Sequence, residues 1–206
     1  MNKTLRRTLI ALIAVSLLAI GTTLPASAEV STHTIDASHS EVGFEVRHLL
    51  SKARGRFDDF SGTIVVNQKE PSASSVEFTI LAGSIDTNNE DRDQHLRSDD
   101  FFAVEEHPEI HFVSKRVQKV SDGQYRVTGT LSMRGVSKDI TLPVEFLGTI
   151  DDPWGNTKGG FRTETVIDRK DFGIVWNKAL DQGGAILGDE VEIEIELETQ
   201  LVKEKS

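Results

Sequence analysis

Cysteine does not occur once in the 206 residues. That absence removes disulfides, a thiolate nucleophile and a lipid-modified N-terminal cysteine together. Positive charge is scarce as well: 23 Lys and Arg stand against 33 Asp and Glu, a formal charge of −10. Such an acidic surface repels phosphate backbones and anionic lipid surfaces at long range, which argues against nucleic acid as a partner. It leaves room for a single anionic group held in a local basic pocket. No apolar run reaches the roughly 20 residues that span a bilayer, so no stable membrane anchor is expected. The run at residues 9–20 follows Lys3, Arg6 and Arg7 and precedes the small residues Ala26, Ser27 and Ala28. This is the layout of an export signal cut after Ala28. Cleavage removes three positive charges, deepens the formal charge from −10 to −13 and leaves residues 29–206 as one domain. The periplasm of a two-membrane bacterium is the expected location, with free secretion as the alternative.

Long amphipathic helices are missing too. The one convincing helical stretch is NNEDRDQHLRS, about residues 89–98. There Asn88 or Asn89 can cap, Glu90, Asp91 and Asp93 suit the positive N-terminal end, and Arg97 suits the negative C-terminal end. No internal repeat, low-complexity linker or second domain is visible.

What is present is alternation with period two. Residues 191–201, VEIEIELETQL, place Val191, Ile193, Ile195, Leu197, Thr199 and Leu201 on one side and four glutamates on the other. The same pattern recurs at 42–46, 76–80 and 140–146. Further strand candidates are 32–36, 57–67, 110–120, 124–133 and 159–168, divided by turns such as SDGQ at 121–124 and DDPWGN at 151–156. One short helix cannot cover so many half-apolar strands, so the sheet must cover itself as a sandwich or a barrel. The two differ at the centre: a sandwich is solid, whereas a barrel of eight strands can hold one small ligand.

Several stretches, in order along nearly the whole mature chain, resemble one family: DASHSEVGFEVRH (36–48), GRFDDFSGTI (55–64), SSVEFTILAGSIDTNNEDRDQHLRSDDFF (74–102), HPEIHFVS (107–114), GTLSMRGVSKDITLPVEF (129–146), RKDFGIVWN (169–177) and GDEVEIEIELE (188–198). They are similar to the YceI-like family of bacterial periplasmic polyisoprenoid-binding proteins. The resemblance implies an all-β fold: a single extended, antiparallel, eight-stranded lipocalin-like barrel. Its apolar tunnel would hold a long-chain amphiphile such as an isoprenoid quinone or prenyl phosphate, for transport or storage. No cofactor is implied beyond that bound lipid, and pairing of two barrels stays open. Burying hydrocarbon gains roughly 0.8 kcal/mol per methylene, so the real competitor for such a chain is the bilayer.

For the tunnel the inward candidates are Phe44, Val46, Phe57, Phe78, Ile80, Phe112, Val144, Phe146, Phe172 and Trp176. The alternative is that they fill a solid core, since both roles demand apolar side chains. Phe101 and Phe102, just after the helix, are placed to close one mouth. Arg92 and Arg97 are candidates for a phosphate or carbonyl head group; otherwise they pin the helix by salt bridges.

Two polar groupings invite catalytic or metal readings. DASHS gathers Asp36, His39 and Ser40, but no nucleophile elbow accompanies them, and a turn in which Asp36 caps main-chain amides is the plainer reading. HPEIH places His107 and His111 four apart. Pro108 rules out a helix there, and in a strand that spacing is about 13 Å, too far to share an ion. His48 and His95 remain unassigned imidazoles. The expected function is therefore binding without catalysis. A hydrolase or isomerase acting on a lipophilic substrate, or a stress-related module with a filled core, is the alternative.

Overall fold

The computed structural model describes residues 30–181 and 185–203. The expected export signal lies outside them. Eleven strand segments follow in order: β1 Val30–Ile35, β2 Glu41–His48, β3 Ser51–Phe57, β4 Phe60–Asn67, β5 Ser75–Leu81, β6 Ile85–Asp86, β7 Glu109–Ser121, β8 Gln124–Met133, β9 Val136–Asp151, β10 Thr157–Asp168 and β11 Leu187–Leu201. A helix, α1 Glu90–Arg97, lies between β6 and β7. All the pairings are antiparallel.

The segments reduce to eight strands because three pairs are single strands interrupted: β1 with β2, β3 with β4, and β5 with β6, the last divided by the 3-10 turn Ala82–Ser84 so that β5 pairs with β4 and β6 with β3. β1 and β2 both lie along β11, with Ile35 opposite Thr199 and Glu41 opposite Glu196. The residues between them loop out as a short 3-10 turn at Ala37–His39. Likewise β3 pairs with β2 while β4 pairs with β1 and β5, and the chain bends at Asp58 and Asp59. There Asp58 N donates to Ser84 O at 3.2 Å, and Leu81 N donates to Asp59 O at 2.9 Å. The sheet closes where β1 meets β11, His33 opposite Leu201. An eight-stranded closed barrel with one helix results, as the resemblance implied and as one of the two arrangements that the alternation allowed.

Two expectations need correction. Residues 57–67 are not one strand, because the bend at 58–59 divides them. Residues 51–56 belong to a strand that alternation did not reveal. Its inward positions are the small Ala53 and Gly55, and Gly55 is small because the Phe44 ring lies against it. The helix begins where its capping residues require: the Asn89 side chain accepts from Arg92 N at 3.0 Å, and Asn88 takes a left-handed φ of 58° just before it. Asp93, on the face of α1 turned to the barrel, is buried and accepts from Thr87 N at 2.9 Å and Thr87 Oγ1 at 2.5 Å.

Burial is uneven around the wall. Many inward residues of β4, β5, β7 and β8, among them Phe60, Ile80, Phe112 and Val127, are buried. Their counterparts on β2, β9 and β11, including Val46, Leu142, Ile193 and Ile195, are only half-buried although they face the barrel interior. A side chain that faces inward and still keeps accessible surface faces empty space.

Candidate functional site

That space is a cavity of about 640 Å³, within the roughly 300–1,000 Å³ usual for small-molecule sites. Its wall is carbon over most of its length. Ile193, Ile195 and Leu197 form one side, the apolar face of the strand whose other face carries the glutamates.

Nine of the ten apolar residues expected from the sequence line this cavity: Phe44, Val46, Phe57, Phe78, Ile80, Phe112, Val144, Phe146 and Trp176. Phe172 does not. It lies in the 3-10 turn Arg169–Phe172 after β10, is 1 % exposed, and packs into the cluster of buried apolar side chains instead. Residues that sequence reasoning left out, such as Val42, Ile64, Leu131, Leu142 and Phe161, also line it. Val42 and Leu142 share strand parity with Phe44 and Val144, so there the alternation itself carried the signal; Ile64, Leu131 and Phe161 lie on β4, β8 and β10, where no lining residue was expected.

The end beneath α1 holds most of the polar lining. His48, Asn89, Asp91 and Arg92 are exposed and also border the cavity, which marks the mouth. Arg92 reaches back from α1: its Nε donates to Thr87 Oγ1 and its NH2 to Thr87 O, both at 2.7 Å. Among the described residues it forms no ion pair. Arg97 is a correction. It does not border the cavity, because its Nε donates to Gly83 O at 2.9 Å and its NH2 to Ile85 O at 3.0 Å, fastening α1 to the β5–β6 connection.

Aromatic rings narrow the same end. Phe102 stands edge-on to Phe57 at 5.8 Å, and His95, Phe101 and Trp176 form a cluster with centroids 4.9 to 5.2 Å apart. Phe101 and Phe102 thus stand at the mouth where their position after the helix suggested. Arg169, 4 % exposed, holds the Trp176 segment in place through bonds from NH1 to Ile174 O and Trp176 O and from Nε to Gly188 O. Burial lowers its pKa, opposed by the charges of Asp189 and Asp168.

At the opposite end a small polar group lies beside the Phe146 and Phe161 rings, whose centroids are 5.1 Å apart. His33 Nδ1 lies 3.4 Å from Thr199 Oγ1, which donates to Gly159 O at 3.1 Å. That leaves His33 Nδ1–H as donor and Nε2 as acceptor for the Ser31 hydroxyl at 3.1 Å. Burial pushes the imidazole pKa down, in keeping with this neutral tautomer.

DASHS forms the looped turn between β1 and β2. Ser40 Oγ donates to Asp36 O at 2.7 Å and accepts from Glu198 N at 2.9 Å, so it stitches the loop to β11 rather than meeting His39. Asp36 caps Ser38 N at 3.2 Å and receives Lys158 Nζ at 2.7 Å. Asp36, His39 and Glu198 are close enough to share an ion, but the Lys158 ammonium already sits between the carboxylates, 3.1 Å from Glu198. His107 and His111 do not converge: His111 lies 3.4 Å from Glu77, while the His107 ring packs over Gly135.

A closed antiparallel barrel around a carbon-lined cavity defines the lipocalin-like class of small-molecule-binding barrels. Within that class, the YceI-like domain matches residues 33–199, and the chain belongs to this family. The UPF0312 protein ECA1782 of Pectobacterium atrosepticum is 42 % identical over 172 residues, covering 82 % of this chain and 88 % of the relative. Burkholderia cenocepacia BcnA shares the fold with a TM-score of 0.71 at 23 % identity, over 80 % of this chain and 98 % of its own. A polyisoprenoid binding domain from Saccharophagus degradans, implicated in plant cell wall breakdown, shares it with a TM-score of 0.59 at 16 % identity, over 84 % and 99 %.

Proposed function

We propose that this protein is an exported, periplasmic binding protein that carries or stores an isoprenoid or similar long-chain amphiphile in its cavity, without chemical turnover. The observation that carries the reading is the half-exposed state of inward apolar side chains around a cavity of about 640 Å³. Such surface is costly to leave against water, and a hydrocarbon chain relieves that cost at roughly 0.8 kcal/mol per methylene. The bilayer dissolves the same chain comparably well, so loading and unloading remain reversible. Membership of the YceI-like family and the binding described for the Saccharophagus domain point to the isoprenoid class. The unpaired guanidinium edge of Arg92 at the mouth suits a phosphate or carbonyl head group, which places the chain inside and the polar end beneath α1.

Native mass spectrometry and organic extraction of protein made in its host test this. A stoichiometric lipid that survives purification is the expected result. An empty protein, or a species that changes with incubation, overturns it.

A further inference from the structure

The barrel wall has a seam. β9 and β10 pair from Thr157 opposite Asp151 down to Arg162 opposite Glu145, and there the ladder stops. Yet β9 continues beyond it to Val136, fully paired with β8, and β10 continues to Asp168, fully paired with β11. Two strand edges therefore face each other without a ladder for about 17 Å, taking 3.3 Å per residue from Thr163 to Asp168.

Pro143 explains where the ladder ends. Pro143 O accepts from Thr163 on β10, and the N and O of one strand residue point to the same neighbour, so the missing N–H of the proline lies on the β10 side. The Thr163 hydroxyl takes over, donating to Pro143 O at 2.6 Å, and forms the upper boundary of the seam. The lower boundary is the ion pair of Lys138 with Asp171 at 2.5 Å. Between them the seam is backed directly by the cavity: Ile140, Leu142 and Val144 on β9 and Thr163, Thr165 and Ile167 on β10 all line it.

We propose that this seam is a lateral portal through which the hydrocarbon chain of the ligand passes into the cavity. The inference rests on the reading of the cavity as a lipid site. Parting β9 from β10 below Pro143 breaks one hydroxyl bond and one exposed ion pair. Parting any fully laddered pair breaks a row of main-chain bonds. A long chain lying parallel to the strands then enters sideways along its whole length, whereas the mouth under α1 admits it only end-on past Phe101, Phe102 and Trp176.

The absence of native cysteine makes the test direct. By the register that Arg162 and Glu145 set, Thr141 on β9 stands opposite Val166 on β10, and both are exposed outward. The double variant Thr141→Cys, Val166→Cys is bridged with a short bis-maleimide, and uptake of retinol, a fluorescent isoprenoid, from detergent micelles is timed before and after bridging. The control bridges Thr128→Cys to Thr141→Cys across the intact β8–β9 ladder. Bridging the seam is expected to slow uptake at least tenfold, while the control bridge leaves it unchanged and protein loaded before bridging keeps its retinol. Equal uptake with the seam bridged, or equal slowing by both bridges, overturns the portal. Failure of every form, bridged or not, to take up retinol overturns the lipid-site reading itself.

Discussion

Phe44 lies opposite Gly55 across the β2–β3 ladder, and a Cβ placed on that glycine would stand 2.5 Å from the ring carbon Cζ. The relationship recurs. Gly62 faces Phe78 across β4–β5, where a Cβ would come within 2.9 Å of the ring, and a Cβ on Gly129 would stand 2.5 Å from Cζ of Phe112. In each case an aromatic ring lies down over a glycine on a neighbouring strand instead of projecting to the barrel axis. This is how a lumen lined by so many phenylalanines stays hollow.

Gly62→Val should therefore lift the Phe78 ring off the wall. Overpacking of this kind costs about 1–3 kcal/mol. For a domain of this size that lowers the thermal midpoint by about 2–12 °C, at 2–4 °C per kcal/mol. Differential scanning calorimetry checks it, with Gly83→Ala as the neutral control, because nothing lies within 4 Å of a Cβ at Gly83.

The same pairs mark how far the sequence could be read. Alternation identified the strands that carry large inward side chains, and with them seven of the nine lining residues; Phe57 ends β3 and Trp176 lies outside any strand. Alternation missed β3, whose inward Ala53 and Gly55 look like nothing in a hydrophobic pattern, because their role is to leave room for Phe44. Phe172 misled for a related reason: it follows the last alternating residue of β10, and the 3-10 turn there rotates it out of the strand's two-fold register into the buried apolar cluster. Arg97 satisfied the expectation for a helix C-terminus, but only the fold shows that the carbonyls of Gly83 and Ile85 occupy it. Pro143, visible inside an alternating run, was the one local sign of the seam.

Arg92 and Arg97 should separate cleanly. Arg97→Ala removes two bonds to main-chain carbonyls and is expected to cost about 1–2 kcal/mol of stability, leaving the affinity for both retinol and a prenyl phosphate unchanged because Arg97 does not border the cavity. Arg92→Ala is expected to leave retinol binding unchanged but weaken binding of a prenyl phosphate severalfold. Fluorescence competition titrations check both. Equal loss of retinol and prenyl phosphate in Arg92→Ala would contradict a head-group role.

Acid should expose the stitch between the β1–β2 loop and β10. Hydrogen bonds from Lys158 and then from Ser38 hold the Asp36 carboxyl well below its ordinary range. A carboxylate lowered in the folded state contributes stability that is complete above its unfolded pKa, about 3.9, and is lost as pH falls toward the folded value. Lys158→Met takes away the principal cause of the shift. The gap in thermal midpoint between the native protein and the variant should be widest near neutrality and shrink as pH drops below about 4. Thermal melts from pH 7 to pH 2.5 check it. A constant gap across that range would mean that Lys158 stabilises the barrel by packing its methylenes and not through Asp36.

Filling the lumen tests the central claim most directly, and the structure says which residues to use. Phe78 is a poor choice for enlargement, because its ring is already confined by Gly62 and by Phe60 at 5.9 Å. Leu142 and Ile195 are better: both line the cavity and both are only half-buried, so larger side chains there grow into empty space. Leu142→Phe with Ile195→Trp should keep the thermal midpoint within a few degrees of the native protein, since the added rings replace no packed atoms. Retinol capacity, measured from the fluorescence of bound retinol itself on saturation, should fall at least tenfold. Full capacity in a variant that folds normally would mean that the lipid does not occupy the space bounded by β9 and β11.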